Sequence, residues 1–220
     1  MPPKSRPSSR SALVTATSQR HIAVVGAGIA GIACARTLMQ AGHRVSVFEK
    51  SRGTGGRMAT RRTEFGSFDH GTQYFTVRDP RFSLALQTVA GTKEICRPWS
   101  ASAVRVLDPM GQVFEAAKQN HDAHFVASPG MNALVRHWAQ PLGKALHLHN
   151  QVQRMERNAK GQWTLHSINT STRADIPETH SGFDRVLLAV PSVQAEQLLR
   201  NSGSHVNDTH FLEAISKVQV

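Results

Sequence analysis

Residues 21–31 read HIAVVGAGIAG, an apolar run that ends in a glycine-rich turn. The first part of this stretch is rich in β-branched side chains and predicts a buried parallel strand. The apolar positions that follow recur at helical spacing as far as Gln40, and Gly42 is a helix stop signal. Residues 44–48 predict a second strand. Strand, turn, helix and strand within about 30 residues form a βαβ unit, whose crossover is expected to be right-handed.

The turn has the spacing of a loop that binds a dinucleotide phosphate. Gly26, Gly28 and Gly31 form the pattern G-x-G-x-x-G between the predicted strand and helix. The first glycine permits a tight turn, the second lets the backbone approach a diphosphate, and the third lets the helix pack against the strand. Glu49 ends the second strand, where its carboxylate is expected to accept both hydroxyls of an adenosine ribose and to repel a 2′-phosphate. The alternative is a glycine-rich packing turn with an incidental surface Glu49.

The segment after Glu49 indicates which dinucleotide is bound. Gly55, Gly56 and Arg57 follow Glu49 in the pattern E-x5-G-G-R. Two glycines let the backbone close over a diphosphate, and the guanidinium of Arg57 offers a forked cation to its oxygens. This signature resembles that of the flavin-containing amine oxidase superfamily, and simple nicotinamide dehydrogenases lack it. The alternative is a solvent-exposed basic loop.

Later segments resemble the renalase-like branch of that superfamily. Residues 69–75, DHGTQYF, resemble the loop that passes close to the isoalloxazine ring in this branch. Residues 129–132, Val152 and residues 183–191 match further landmarks, and the resemblance implies that the backbone of Val152 binds adenine. It extends over about residues 21–199 and implies FAD as the cofactor. The implied fold class is α/β, with a Rossmann-like FAD-binding domain, built on a parallel sheet with an N-terminal βαβ unit, and part of an α+β substrate domain.

The predicted organisation has three parts. A disordered basic tail at 1–20 precedes an FAD-binding domain at 21–75 and 125–200, and residues 76–124 and 201–220 form a partial substrate domain. Family members continue into the rest of the substrate domain and a final Gly-Asp flavin-binding segment, so we expect the chain to be C-terminally truncated.

The two motifs and the resemblance together predict the residues that bind the cofactor. They are Gly26, Ala27, Gly28, Ala30, Gly31, Glu49, Lys50, Gly56, Arg57, Met58, Gln73, Tyr74 and Val152. We assign no catalytic residue, because a histidine such as His70 more often hydrogen-bonds within its own loop than acts as an acid or base. No metal site is predicted, although a strand through residues 146–154 would place His147 and His149 on one face.

Other patterns predict the remaining elements. The sequence indicates a helix after residues 129–131, a hairpin turn at 157–161 and a strand at 185–190. Pro191 is expected to begin a helix, where its missing N–H costs little. Residues 76–124 show no clear period and are interpreted as a lid or a substrate-side insertion.

The composition favours a globular protein, with 40% hydrophobic and 19% charged residues. The net charge of +11 is concentrated in residues 1–62, which hold 11 Lys and Arg against the single acid Glu49. A solvated basic tail and arginines around a diphosphate both explain this excess. Nucleic-acid binding is disfavoured because Phe48 is the only aromatic residue in the first 60.

The cysteine pattern and the short apolar runs predict a cytoplasmic protein. Cys34 and Cys96 form no CxxC pair, which favours a reducing compartment. Residues 1–20 contain an apolar run too short for secretion, and their composition fits a disordered tail or, alternatively, an organellar transit peptide. The apolar stretch at 22–35 is shorter than the ~18 residues that span a bilayer, so no membrane partner is expected.

The predicted function is that of an FAD-dependent oxidoreductase of renalase or amine oxidase type. A hydride would pass from a C–N substrate or a dihydronicotinamide to flavin N5, with dioxygen as the acceptor. The expected partner is therefore a small molecule, an amine or a dihydronicotinamide. Two alternatives are a truncated, non-catalytic remnant that binds FAD or ADP, and an NAD-dependent dehydrogenase.

Overall fold

The computed structural model describes residues 18–89, 91–99, 106–114, 123–171, 175–206 and 209–218. The strands are β1 (His21–Val25), β2 (Arg44–Phe48), β3 (Thr60–Thr63), β4 (Gly66–Asp69), β5 (Phe75–Thr76), β6 (Cys96–Pro98), β7 (Val106–Leu107), β8 (Val113–Phe114), β9 (His124–Ala127), β10 (Leu146–His147), β11 (Asn150–Arg157), β12 (Trp163–Asn169), β13 (Ile176–Phe183) and β14 (Arg185–Leu188). The α-helices are α1 (Ile29–Gln40), α2 (Pro80–Thr88), α3 (Thr92–Ile95), α4 (Asn132–Ala139), α5 (Ser192–Asn201) and α6 (Thr209–Ser216). Short 3-10 helices lie at Gly56–Met58, Gln140–Ala145 and Gly203–Val206.

A parallel sheet in the order β10-β2-β1-β14 forms the centre of the fold. β1 pairs with β2 from His21↔Arg44 onward, and on its other edge with β14 from Ile22↔Arg185 onward. The predicted βαβ unit is confirmed, since the strands and the intervening helix have the predicted bounds. Each strand of this sheet therefore ends at the same edge, which faces the glycine turn.

The two faces of the parallel sheet are covered by different elements. On one face, Val24 of β1 packs in a core with Ile32 of α1 and Leu134 of α4. All three side chains are fully buried. Ala23 and Val25 point to the opposite face, as alternate residues of a strand must. The core on that side is completed by side chains from β11, β12, β13 and α5: Met155, Leu165, Phe183, Leu198 and Leu199. The sheet is thus buried on both faces, as parallel sheets usually are.

A second sheet, antiparallel in the order β11-β12-β13, covers one of those faces. The predicted turn before Trp163 is confirmed: the side chain of Asn158 accepts the backbone N–H groups of Lys160 and Gln162, and Gly161 has a φ of +77°. β13 was not predicted. The predicted strand at 185–190 ends at Leu188, and the helix after Pro191 is confirmed.

The predicted strand at 146–154 is wrong. The chain forms β10 as far as His147 and then turns at His149, whose φ of +55° lies in the left-handed region. β11 starts at Asn150 and joins the other sheet. His147 and His149 consequently do not share a strand face.

Residues 76–124 contain regular structure where they are described. β6 pairs with β9, and β9 pairs with β5, so this segment is joined to residues on either side of it. The predicted division into two domains stays a prediction, and most of the predicted tail, residues 1–17, lies outside the described residues. In the described part of the chain, the helices are too short or too polar to cross a membrane.

The core against α1 gives a test of the packing. Replacing the fully buried Ile32 by alanine removes methyl groups from a close-packed site and leaves a cavity. We expect Ile32→Ala to lower the free energy of unfolding by roughly 2–5 kcal/mol. Leu84→Ala, at a side chain that is 60% exposed, should change it by less than about 0.5 kcal/mol. Denaturant unfolding monitored by circular dichroism measures the free energy of unfolding of both variants. Equal losses in the two variants would contradict the packing of Ile32 in this core.

Candidate functional site

A cavity of about 930 Å³ opens where the strands of the parallel sheet end. This volume is near the upper end of the ~300–1,000 Å³ range of small-molecule and cofactor sites. Of the residues predicted to bind the cofactor, nine line it: Gly26, Gly28, Ala30, Glu49, Lys50, Gly56, Arg57, Met58 and Val152. The carboxyl ends of parallel strands are the usual ligand-binding edge of such sheets. We call this cavity the cleft.

The glycine turn after β1 is held by close backbone contacts. Gly26 has a φ of +104°, and a Cβ there would lie 2.5 Å from the carbonyl oxygen of Ala189. A Cβ on Gly31 would lie 2.0 Å from the carbonyl oxygen of Gly26. A Cβ on Gly28 would meet only ordinary contacts, at 3.8 Å from Gly56 Cα and beyond. Gly26 and Gly31 therefore serve the packing, and Gly28 leaves open space at the start of α1.

The loop of Gly55, Gly56 and Arg57 lies directly on this turn. The N–H of Gly55 donates to the carbonyl of Ala27 at 3.0 Å, and a Cβ on Gly56 would lie 3.0 Å from Gly28 Cα. The two glycine segments thus approach each other as closely as the predicted closure requires. The guanidinium of Arg57 is exposed at the cleft and makes no hydrogen bond or ion pair with the described residues.

Glu49 is 8% exposed, and backbone donors hold both of its carboxylate oxygens. Oε2 accepts the N–H of Ala27 at 2.8 Å, and Oε1 accepts the N–H of Ser51 at 2.9 Å. Each oxygen of an ionised carboxylate has more than one acceptor position, so the group keeps capacity toward the cleft. Ala27 does not line the cleft, but its N–H orients the carboxylate that does.

The start of β11 forms another part of the wall. Val152 pairs with Ser167 and Arg154 pairs with His166, so Gln153 is an extra residue in a β-bulge. Gln151, Val152 and Gln153 all line the cleft. Val152 is where the sequence predicts it, whereas the bulge and the two flanking glutamines were not predicted.

Helix α5 supplies a part of the wall that the sequence analysis missed. Gln194, Gln197, Leu198 and Asn201 of this helix line the cleft. Their spacing of three and four residues places them on one helix face. That spacing was available in the sequence, but nothing in the sequence alone indicated which face of α5 turns toward the cleft.

Four predicted residues do not line the cleft. Ala27 and Gly31 support it from behind, whereas Gln73 and Tyr74 lie outside its wall. The Tyr74 ring packs against His124, with ring centroids 4.2 Å apart. One earlier residue of the same loop does reach the cleft.

His70, from that loop, lines the cleft. Two residues on, the N–H of Thr72 donates to the carbonyl of Arg57 at 2.8 Å. A Cβ on Gly71 would lie 2.2 Å from the same carbonyl oxygen, so glycine permits this close approach. The loop therefore rests on the backbone of the Gly55–Arg57 segment.

A second, smaller cavity of about 430 Å³ adjoins the cleft. It shares Ile29, Ala30, Arg57 and Met58 with the cleft, and its far wall is aromatic, with Phe75, Phe82 and Trp138. The two spaces meet at the N-terminal turn of α1. A more strongly apolar space thus lies beside the cleft.

Titratable side chains lie behind Phe48, which itself lines the cleft. The His147 ring stacks on Phe48 at 4.8 Å, and His180 lies 5.4 Å from His147. Burial and the neighbouring His180 lower the pKa of His147, and Glu178 opposes this. The side chains of Asn169 and Asn150 donate to Glu178 and lower the pKa of its carboxyl.

The cysteines lie outside the cleft wall. Burial raises the pKa of the Cys34 thiol, and burial raises that of Cys96 to about 11. A thiol with a raised pKa is a poor nucleophile at neutral pH. Among the described residues, His, Cys, Asp and Glu side chains form no group of three or more that could hold a metal ion.

Comparisons with known proteins agree with this geometry. Residues 24–87 match the family described as the NAD(P)-binding Rossmann-like domain. A double mutant of putrescine oxidase superposes with a TM-score of 0.59 at 15% identity, covering 82% of this chain and 60% of that one. A fatty acid isomerase from P. acnes gives a TM-score of 0.61 at 14% identity, covering 88% and 63%. The fold is Rossmann-like. The predicted α/β class with its parallel sheet is confirmed.

Curated relatives match a shorter stretch at higher identity. The chain is 45% identical over 58 residues to a 4,4'-diapophytoene desaturase of Staphylococcus haemolyticus, which is 26% of this chain and 12% of that protein. It is 43% identical over 56 residues to a putative L-amino-acid oxidase of Bacillus subtilis, again 26% and 12%. It is 46% identical over 55 residues to an L-amino-acid oxidase of Bungarus fasciatus, 25% and 11%. The chain thus spans about an eighth of the length of these relatives. Their names are those of oxidases and a desaturase, which agrees with the oxidoreductase class that the sequence predicts.

The glycine turn gives a second test. We expect Gly31→Ala to destabilise the fold by roughly 1–3 kcal/mol, because its Cβ would overlap the Gly26 carbonyl. Gly28→Ala meets no such overlap and should leave the stability within about 0.5 kcal/mol of the parent chain. Thermal and denaturant unfolding of the two variants measure the difference. Equal stability of both variants would contradict the close approach at Gly31.

The His147 cluster gives a pH test. The pKa of folded His147 lies below its unfolded value of 6.5, so its contribution to stability is complete above pH 6.5. That contribution is lost as the pH falls below 6.5, because the unfolded chain then binds the proton more readily. We expect His147→Phe, which keeps a ring on Phe48, to reduce the loss of unfolding free energy between pH 7.5 and about pH 5.

Unfolding curves across this range check the expectation. The same substitution at exposed His210 is the control and should leave the pH dependence as it is in the parent chain. An unchanged slope in His147→Phe would refute the lowered pKa of this half-buried histidine.

Proposed function

We propose that the chain binds FAD in the cleft and acts as an FAD-dependent oxidoreductase of renalase or amine oxidase type. One observation carries the proposal: the Gly26–Gly28 turn, Glu49 and the Gly56–Arg57 segment all line a single cavity. The sequence predicts that the glycine turn and Arg57 contact the diphosphate of an ADP-containing dinucleotide and that Glu49 contacts its ribose. Their convergence is what such a ligand requires.

The donor groups of the cleft suit a diphosphate. Helix α1 begins at Ile29 and its N-cap residue, Gly28, has no side chain to cap it, so the first N–H groups of the helix are available to an anion. Arg57 lines the cleft, and no carboxylate of the described residues forms an ion pair with its guanidinium. Gly28 leaves space where a side chain would otherwise stand. We infer that the diphosphate lies between α1 and Arg57.

The adenosine half would occupy the side bounded by Glu49 and β11. The Glu49 carboxylate is held by two backbone N–H groups and would accept the ribose hydroxyls. The backbone of Val152, next to the bulge, would contact adenine. Lys50 and Ser51 continue the wall beyond Glu49.

The flavin half would extend toward Met58 and His70. A bound flavin supplies a hydride acceptor at N5 for a C–H bond beside nitrogen or in a dihydronicotinamide, with dioxygen as the expected final acceptor. The chain itself would orient the flavin and exclude water from it, through the apolar side chain of Met58 and the loop that rests on Arg57. The proposed substrate is a small molecule, an amine or a dihydronicotinamide.

The absorbance spectrum of the purified protein tests the proposal. We expect flavin bands near ~450 nm, either as isolated or after FAD is added, and heat should release the chromophore as FAD. A colourless protein that takes up no FAD would overturn the proposal. Tight nicotinamide binding without flavin would favour the NAD-dependent dehydrogenase instead.

A pair of variants makes the same test specific to the cleft. Glu49→Gln removes the charge that would accept the ribose hydroxyls, and such charged hydrogen bonds are worth about 1.5–3 kcal/mol. We expect the dissociation constant for FAD to rise about tenfold or more. Glu64→Gln, at an exposed carboxylate outside the cleft, should bind FAD as the parent chain does. Equal affinities of the two variants would show that FAD binds elsewhere.

A further inference from the structure

Helix α5 presents a face of carboxamide groups to the cleft. Gln194, Gln197 and Asn201 lie at spacings of three and four residues and all line the cavity. This helix also carries Glu196 and Arg200, which form an ion pair with 2.7 Å between Arg200 Nη2 and Glu196 Oε1. Neither residue lines the cleft. The α5 wall is therefore polar and uncharged.

The direction of this face is fixed by buried contacts. Ser202, at the end of α5, is 2% exposed; its hydroxyl accepts the N–H of Met155 of β11 at 3.0 Å and donates to the carbonyl of Leu198 at 2.7 Å. Leu198 and Leu199 are buried in the core beneath the parallel sheet. The helix cannot turn its carboxamides away from the cleft without breaking these contacts.

The same contacts place the C-terminal end of the carboxamide face at one end of the cleft. The side chain of Asn201 donates to the carbonyl of Gln153 at 3.3 Å, so α5 meets β11 at the bulge beside Val152. At the start of β11, the N–H of Asn150 donates to the carbonyl of Glu49 at 2.8 Å. Asn201 and Gln197, one helical turn before it, thus lie toward the end bounded by β11 and Glu49, where the proposed function places adenosine. Gln194 follows one turn further toward the start of α5.

Two of the three carboxamides have no hydrogen-bond partner in the described part of the chain. Asn201 is engaged with Gln153, whereas the side chains of Gln194 and Gln197 make no hydrogen bond to the described residues. A glutamine carboxamide offers a donor and an acceptor side by side. Adenine offers the complementary pair, the N6 amino donor beside the N7 acceptor, and glutamine pairs with this edge in other complexes. A 6-oxo purine presents an acceptor where adenine has its donor.

We propose that Gln197, assisted by Gln194, recognises the base of the bound dinucleotide and selects adenine over a 6-oxo purine. The proposal rests on the proposed function, because it needs a purine nucleotide in the cleft. It adds base selectivity to that function and assigns it to residues on α5.

Calorimetric titration of the full chain with ADP and with inosine diphosphate tests the proposal. The two ligands share the ribose and the diphosphate and differ at position 6 of the purine. We expect ADP to bind about tenfold more tightly or better, the size of discrimination that one bidentate carboxamide contact provides. The double variant Gln194→Leu/Gln197→Leu should reduce this ratio to about one while it still binds inosine diphosphate.

Gln87→Leu on α2 is the matched control. Gln87 is exposed and lies outside both cavities, so its loss should leave the ADP preference intact. Since Gln194 and Gln197 are exposed, the double variant is expected to fold, and circular dichroism checks this. Equal binding of both nucleotides by the parent chain, or an ADP preference that survives in the double variant, would overturn the assignment to α5.

The same titration separates this proposal from the proposed function. Loss of selectivity with retained nucleotide binding contradicts only the role of the glutamines. A parent chain that binds neither nucleotide and takes up no FAD contradicts the proposed function itself, and the role of α5 falls with it.

Discussion

The cleft depends on one buried carboxylate. Glu49 accepts the N–H groups of Ala27 and Ser51 with its side chain, and its backbone bonds to His147 and Asn150. A charge this poorly exposed would be costly without such donors, whereas charge-assisted hydrogen bonds are short and strong. Through this residue the glycine turn, β2, β10 and β11 are held in one arrangement. The ligand-facing group is therefore positioned by the fold before any ligand arrives.

The part of the fold around β1, α1 and β2 was predictable because its signals are local. A strand of β-branched residues, a glycine turn and a helix with apolar residues at regular spacing each carry their own pattern. Gly26 and Gly31 are required by contacts within the turn and its immediate neighbours. The same locality explains why most of the predicted ligand contacts, from Gly26 to Met58, line the cleft.

The remaining features depend on contacts between distant segments. β10 and β11 are separated by His149 in a left-handed conformation, which is uncommon for residues other than glycine and which no pattern in the sequence marks. β13 reads IPETHSGF and has few of the apolar residues that mark a strand, and it is held by its pairing with β12. The glutamines of α5 reach the cleft because Ser202 and Leu198 pack against a strand some 45 residues earlier. Sequence periodicity identifies the helix but not the neighbour that orients it.

The basic N-terminal third of the chain shows why net charge is a weak guide to the ligand. The sequence left two explanations, a solvated tail and arginines around a diphosphate. Lys50 and Arg57 line the cleft, while Arg36 donates to the carbonyl of Trp138 at 3.0 Å and so binds α1 to α4. Arg61 and Arg62 are exposed on β3, away from the cleft wall. The described basic residues thus divide among ligand-facing, structural and solvated positions. What favours an anion in the cleft is the local arrangement. Arg57, whose guanidinium has no hydrogen bond or ion pair with the described residues, lies beside an uncapped helix N-terminus, and backbone donors already hold the Glu49 carboxylate.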